Sequence, residues 1–469
     1  MQMSKFRLIK KITKIIPLAT LPSLSTASEV CRSQARNRRF LLSTIASLIG
    51  KIIAVLTSLI SIPLTLHYLG TERFGLWMTM SSLIAMLGFA DLGIGNGLLN
   101  SVADANGRDD IQAIKQYISS AFVILGAISI LCLLLFLIIS PFVNWAAFFN
   151  VKSTTAIYEV KIAIAVFIIC FALNIPASIV QRTQLGLQIG FISNLWQIVA
   201  SLSSLISVLA IIHLKLGLPW LVGAMAGAPL AASTINTIIF FSKTRADLRP
   251  RIKFVSRKSC RSIANTGILF FVLQIVVSIT YASDNIVIAK LLGSDAVTQY
   301  AVPEKLFAII PMIVNIFLMP LWPAYGEAIS RKDIGWVRKT FIKAILFSFF
   351  ISTTLALFFV FFFRELISLW VGGEVSPPVI LIIGFGLWKI IETVGTNISI
   401  ILNGANIIKL QLSVALITAT TALGLKIFLV NKVGIAGVVW ATLITYFLFA
   451  LIPYVFYIKK LLRKIGGND

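Results

Sequence analysis

The sequence predicts an all-α polytopic membrane protein of about 12 transmembrane helices, in two parallel six-helix bundles around a central cavity. Three observations predict it. Of 469 residues, 58% are hydrophobic and only 12% charged, with a mean hydropathy of +0.95, whereas soluble domains carry about 25% charged residues. Apolar runs long enough to cross a bilayer recur along the whole chain. The basic residues gather in the gaps between those runs, as they do in cytoplasmic loops. The net charge of +24 is therefore read as topology, not as a nucleic-acid-binding surface.

The first six spans are expected at 40–67, 75–99, 117–140, 158–180, 191–212 and 218–241. The second six are expected at 264–290, 298–324, 338–362, 377–401, 409–430 and 434–458. Each is about 20–28 residues, enough to span with some tilt. The chain then divides into a basic leader (1–39), a first bundle (40–241), a basic linker (242–263), a second bundle (264–458) and a basic tail (459–469). The linker, "SKTRADLRPRIKFVSRKSCRSI", holds eight Lys/Arg against one acid, Asp247; the leader holds nine Lys/Arg and the tail four. With an even number of spans all three fall on one side, and the positive-inside rule makes that side cytoplasm. Part of the leader resembles a signal peptide, but Pro17 and Pro22 interrupt its apolar portion. Cleavage would also place the linker outside. A cytoplasmic basic segment, lying on anionic membrane lipids at residues 4–16, fits better.

The halves repeat weakly. "YLGTERFGLW" (68–77) recurs as "LLGSDAVTQY" (291–300), pairing Gly70 with Gly293; "GRDDIQAIKQ" meets "SRKDIGWVRK", pairing Asp110 with Asp333; and "LKLGL" (214–218) meets "NKVGI" (431–435). Parallel repeats of six spans are a transporter architecture. No G-x-x-x-x-G-K-[ST] phosphate loop is present. Cys31, Cys132, Cys170 and Cys260, with His67 and His213, have no metal-ligand spacing. No metal and no bound cofactor are expected.

The stretch "GFADLGIGNGLLN" (88–100) places Asp91 and several glycines in a span. Gly93 and Gly97 have the small-x-x-x-small spacing that lets helices approach closely in lipid. Asp91 is expected to be structural, with Asn96 and Asn100 as partners, or to take up a proton during coupling. The other ionisable residues of interest inside spans are Lys51, Asp284, Glu304, Lys305, Lys389, Glu392 and Lys426. A charge in the bilayer faces a cavity or a partner. Lys389 and Glu392, at i and i+3, are placed to neutralise each other, and Lys426 near a helix end is expected to snorkel. Lys51 has no local acid. Pro303, Pro311, Pro320 and Pro323 in the eighth span predict a helix that bends.

The hairpin "YLGTERFGLWMTMSSLIAMLGFADLGIGNGLLNSVADANGRDD" resembles the first hairpin of polysaccharide-biosynthesis flippases in the multidrug/oligosaccharidyl-lipid/polysaccharide (MOP) exporter superfamily. The span count, basic central loop and matching halves extend the resemblance over about 40–460. It implies an O-antigen flippase of a bacterial inner membrane, with both termini cytoplasmic and a polyprenyl-pyrophosphate-linked oligosaccharide as substrate. Polysaccharide-assembly proteins would then be partners, and the coupling ion, H+ or Na+, stays open. Lys51, then Lys389, then Lys305 are the candidates to face the pyrophosphate. Asp91, Asp284, Glu304 and Glu392 are candidates for coupling or structure. The runner-up is a cation-coupled exporter of drugs or small metabolites on the same fold. A sugar-polymerising enzyme is disfavoured, because the longest expected external gap, "PFVNWAAFFNVKSTTAI", has no acid and no histidine.

The topology is checked by alkaline phosphatase fusions. A fusion after residue 250 is expected to be inactive, and fusions near 148 or 370 active. High activity at 250 reverses the orientation.

Overall fold

In hydrocarbon every backbone N–H and C=O must be bonded within the protein, so apolar runs of this length fold as helices. The computed structural model describes residues 29–86, 91–149, 153–371 and 376–465, and among these every regular element is helical. Eleven of the described helices are long and apolar enough to cross a membrane. The expected second span runs across residues 87–90, outside the described residues, as does the leader segment at 4–16. The first helix, α1 (Glu29–Met86), begins well before the expected residue 40 and continues through the expected turn. It changes direction at Gly70, whose φ of 75° and ψ of 170° are not helical.

The chain divides into two compact units, Met1–Gly267 and Ile268–Asp469. In the first unit, α1 packs on Gly190–His213, and Thr154–Ala177 packs on Leu218–Ile239. Its core gathers Leu98, Val102, Ile118, Leu125, Val180 and Phe240, all essentially without exposure. In the second, Ile334–Phe361 packs on Val379–Gly404, and Ile408–Val433 packs on Ala436–Tyr446. Aromatic rings centre that core, with Phe307 stacked on Phe385 at 5.8 Å and Tyr300 against the same ring at 5.1 Å.

The two units are built with the same local devices. Gly293 repeats Gly70, with φ 90° and ψ 173°. Asp110 accepts from the Ala113 N–H at 2.9 Å to start the helix Ile111–Ile139, and Asp333 accepts from the Trp336 N–H at 3.2 Å to start Ile334–Phe361. The residue before each cap is left-handed, Asp109 at φ 56° and Lys332 at φ 59°. One turn earlier stands an i,i+4 ion pair in each unit, Asp104–Arg108 and Glu327–Arg331. A second pair of turns matches too: Gln188 (φ 58°) and Asn406 (φ 57°) follow Gly186 and Gly404. The third expected match, Gly217 with Gly434, differs. Gly217 is extended at φ −72° while Gly434 is left-handed at φ 66°, because Lys215 takes the left-handed position in the first loop.

The eighth span breaks where the prolines predict a bend. Ser294–Phe307, Ile309–Leu318 and Leu321–Ser330 are separate helices. The breaks, at Ala308 and at Met319–Pro320, lie three to four residues before Pro311 and Pro323, where a proline ring removes the helical hydrogen bond and crowds the carbonyl. Pro303 is enclosed in the first of these helices and Pro320 caps the third.

At Gly186 and Gly404 the repeat is confined in both units. A Cβ at Gly186 would stand 2.9 Å from Val102 Cβ and 3.0 Å from the Leu99 carbonyl; at Gly404 it would stand 2.9 Å from the Trp322 carbonyl and 3.0 Å from Gly326 N. Gly404→Ala should cost about 1–3 kcal/mol despite alanine's better helix propensity, with Gly186→Ala behaving alike. Thermal unfolding of the detergent-purified variants checks this; an unchanged midpoint for both would show that the backbones separate freely.

Candidate functional site

Among the described residues, paired charges inside the spans include one set around Asp91 in the first unit and others around Asp284 and Glu392 in the second. In the first, Asp91 sits two residues before the left-handed Gly93 (φ 71°) and accepts its N–H at 2.9 Å, closing the turn that starts Ile94–Gly107. The carboxylate is 3.7 Å from Arg182, and the same guanidinium donates to Asn96 Oδ1 at 2.9 Å. Asp91 therefore pairs with Arg182, and Asn96 joins from the other side of the cation instead of bonding the acid directly. Arg182 lies just past the expected end of the fourth span, at 180. The polar run "QRTQ" (181–184) was its signal. A Cβ at Gly95 would be 2.5 Å from Asp91 Oδ2 and 2.7 Å from Arg182 Nε, so the ion pair needs a glycine beneath it. Gly97 backs onto the Ile263 carbonyl, 2.6 Å from its would-be Cβ, and a Cβ at Gly267 would be 3.1 Å from Gly93 C. Gly93 and Gly97 thus face residues 263–267 with backbones in contact, the geometry their spacing predicts.

Lys51 is exposed on α1, and no acid of the described residues pairs with it. Its helix packs through other residues; a Cβ on neighbouring Gly50 would meet Ile198 at 3.6 Å.

The second unit holds two polar sets near one another. Lys426, 1% exposed, forms an ion pair with Asp284 at 2.5 Å and donates to the Thr280 carbonyl at 3.0 Å and Ser283 Oγ at 3.3 Å. The Tyr300 hydroxyl donates to the other Asp284 oxygen at 2.9 Å. Lys426 therefore does not snorkel. Its helix presents it to Arg257–Leu292 seven residues before ending at Val433, and a near acid holds it more tightly than a distant headgroup region. Lys389, 3% exposed, donates to Glu392 Oε2 at 2.8 Å, and Tyr281 donates to Oε1 at 2.8 Å. Lys389 therefore has its charge engaged, one turn from its partner on the same helix. Glu304 lies within electrostatic reach of Lys389, Asp284 and Glu392, and Lys305 beside it is exposed. Gly395 leaves room for the Tyr446 hydroxyl against this helix. Two lysines and three acids thus lie near one another in the second unit, with Lys389, Lys426 and Asp284 buried and Glu304 and Glu392 half-buried.

A family model described as "Polysaccharide biosynthesis protein" matches residues 40–329, more than half of the chain. The chain belongs to the polysaccharide biosynthesis protein family. Among its relatives, a protein named for O-antigen export in Yersinia pseudotuberculosis is 24% identical over 367 residues, 73% of this chain and 78% of that one. A protein named as an O-antigen transporter in Salmonella typhimurium is 21% identical over 429 residues, 88% and 95% of the two chains. This member of the family shares its fold with an outward-facing multidrug-resistance MATE-family transporter of the MOP superfamily, at 14% identity, TM-score 0.76 and coverage of 92% and 97%. A MOP superfamily transporter from Pyrococcus furiosus matches similarly, at 13% identity and TM-score 0.76 over 92% of this chain and 97% of that chain. The present chain is a multi-pass membrane protein whose described regular elements are all helical.

Removing one partner of a buried pair strands the other charge. Asp284→Asn should destabilise the protein by about 3–5 kcal/mol, while Asp284→Asn with Lys426→Met should recover most of that loss. Unfolding midpoints of the purified variants decide it; a double variant no more stable than the single would show that Lys426 is not stabilised by Asp284.

Proposed function

We propose that this protein is a flippase that moves a polyprenyl-pyrophosphate-linked oligosaccharide, an O-antigen or similar repeat unit, from the cytoplasmic to the periplasmic leaflet of a bacterial inner membrane by alternating access. The observation that carries the reading is family membership joined to relatives named for O-antigen export and transport, aligned over 78% and 95% of their own lengths. In this reading both termini are cytoplasmic, the chain does no chemistry on the sugar, and polysaccharide-assembly proteins supply and receive the substrate.

The charge arrangement agrees with an anionic cargo. Asp91, Asp284 and Glu392 are each engaged by a cation, Arg182, Lys426 and Lys389. A carrier of cationic drugs would need carboxylates free, and of the four mid-span acids only Glu304 has no ion pair among the described residues. Lys51 and Lys305 are the mid-span lysines left exposed, so the order of candidates for the pyrophosphate becomes Lys51, Lys305, Lys389. At an effective dielectric of about 20, one lysine 4 Å from a phosphate charge contributes about 4 kcal/mol before desolvation. That is enough to offset an insertion cost of about 2.5–3.5 kcal/mol for a mid-membrane lysine. Coupling to H+ or Na+ fits the second unit, where an ion taken up by Asp284 or Glu392 would compete with Lys426 or Lys389 for the same carboxylate.

A strain lacking the protein should accumulate lipid-linked oligosaccharide, measured by mass spectrometry of extracted lipids; no accumulation removes the flippase reading. In the complemented strain, Lys51→Gln should lose most surface glycan and Lys51→Arg should keep much of it, at matched membrane abundance. Wild-type glycan from Lys51→Gln takes Lys51 out of the pathway.

A further inference from the structure

The basic loop between Leu218–Ile239 and Arg257–Leu292 is folded onto the helix Ile111–Ile139. The Arg251 N–H donates to Ser119 Oγ at 3.2 Å and the Ser256 N–H to Ser120 Oγ at 3.3 Å. Both serines are buried. Phe254 lies under the ammonium groups of Lys115 and Lys253, at 5.8 and 5.1 Å. Arg245 is bonded through two nitrogens to Asp247, at 2.9 and 2.8 Å, and holds that carboxyl below its ordinary range. Arg245 is thus already occupied. Arg249 and Arg251 are exposed, and neither has a carboxylate partner among the described residues.

These two arginines, with Ser119, Ser242, Phe122 and Ile238, are among the residues that line a cavity of about 300 Å³. Its depth in the membrane follows from helix length. The run 121–139, which carries no charge and has Ser129 as its one hydroxyl, is about 28 Å long at 1.5 Å per residue, close to the ~30 Å thickness of the hydrocarbon core. Ser119 and Ser120 therefore stand at the boundary between hydrocarbon and headgroups. Below them Phe122 and Ile238 are 44% and 59% exposed, and on the loop Ile252 is 87% exposed. The cavity is polar and cationic at headgroup level and apolar where acyl chains begin. Ser119, which accepts from the loop backbone, keeps its own O–H to donate.

We propose that this cavity binds the headgroup of an anionic phospholipid, with Arg249 and Arg251 on the phosphate, the Ser119 and Ser242 hydroxyls beside it, and the acyl chains along Phe122 and Ile238. Guanidinium groups suit a phosphate because their planar donors bond it in pairs. The occupant is a bilayer phospholipid rather than the transported lipid, because the mouth opens onto exposed apolar side chains at leaflet depth, where bulk lipid is always present. The bound lipid would hold the loop against the helix from the membrane side, as the serines do from the protein side.

Native mass spectrometry of the full-length protein tests this, with phosphatidylglycerol or phosphatidylcholine added to the detergent. The wild type should retain phosphatidylglycerol in preference to phosphatidylcholine. Arg249→Gln with Arg251→Gln should lower that retention about tenfold or more, given the attraction of each basic residue to anionic lipid. Arg257→Gln with Lys258→Gln removes the same charge from the same segment outside the cavity and should change it by less than about twofold. Ser242→Glu, which leaves both arginines in place, should also lower retention. Equal losses from the two double variants, or equal retention of the two lipids, would overturn the site. So would displacement of phosphatidylglycerol by an equimolar polyprenyl pyrophosphate in the wild type but not in the Arg249/Arg251 variant, which would give the cavity to the transported lipid. Retention is read without transport, so failure of the flippase reading leaves this result standing.

Discussion

Lys426 keeps its ammonium inside the second unit, 1% exposed, because Asp284 stands 2.5 Å away and two further oxygens complete its contacts. A charge at that depth has few stable solutions, since hydrocarbon offers no water to take its place. Much of the second unit follows from this pair. Arg257–Leu292 must present Thr280, Ser283 and Asp284 on one side, Tyr300 must reach the second carboxylate oxygen, and Ile408–Val433 must face inward at Lys426. The neighbouring Lys389–Glu392–Tyr281 set obeys the same rule one helix away. Buried networks of this kind fix which helix faces meet, because any other register leaves a charge without its partner.

In the first unit the pair Asp91–Arg182 meets the same constraint. Arg182 bridges Asp91 and Asn96, and Gly95 exists there to let the pair lie against the helix. Lys51 has no such partner within the described residues and is exposed. The chain therefore separates charges that organise helices from a charge that remains available. In a carrier of an anionic lipid that separation has a purpose. A lysine already neutralised by an acid attracts a phosphate weakly, whereas an unpaired one attracts it at the full strength that the local dielectric permits.

Much of this was legible in the sequence, and the limits have physical causes. Hydropathy fixes the spans because the bilayer fixes their length. The turns marked by Gly70 with Gly293 and Asp110 with Asp333 could be paired across the halves, because φ > 0 and helix caps admit few residue types. The Gly217–Gly434 match misled for the complementary reason: a left-handed turn can be taken by Lys215, and then the glycine nearby is ordinary. Lys389 and Glu392 could be paired by eye since i,i+3 neighbours share a helix face. Lys426 with Asp284, and Asp91 with Arg182, could not. Those partners are 142 and 91 residues apart, and no periodicity on one helix says which face of another it meets.

The stretch "DLGIGNG" (91–97) shows how closely such constraints can be stacked. Asp91 is both an ion-pair partner and the acceptor that closes a turn; Gly93 follows Leu92 as the second left-handed residue of that turn. Gly95 leaves space for the ion pair, Asn96 takes the far side of Arg182, and Gly97 brings the backbone to within contact of Ile263. Three glycines in five residues would weaken an isolated helix by about 1 kcal/mol each. Here each one removes a clash or a strained dihedral that would cost as much or more. The conformational cost of the glycines is thus the condition for placing a charge pair and a helix–helix contact on the same turn, and an alanine at any of the three positions would relieve that cost only by breaking one of those arrangements.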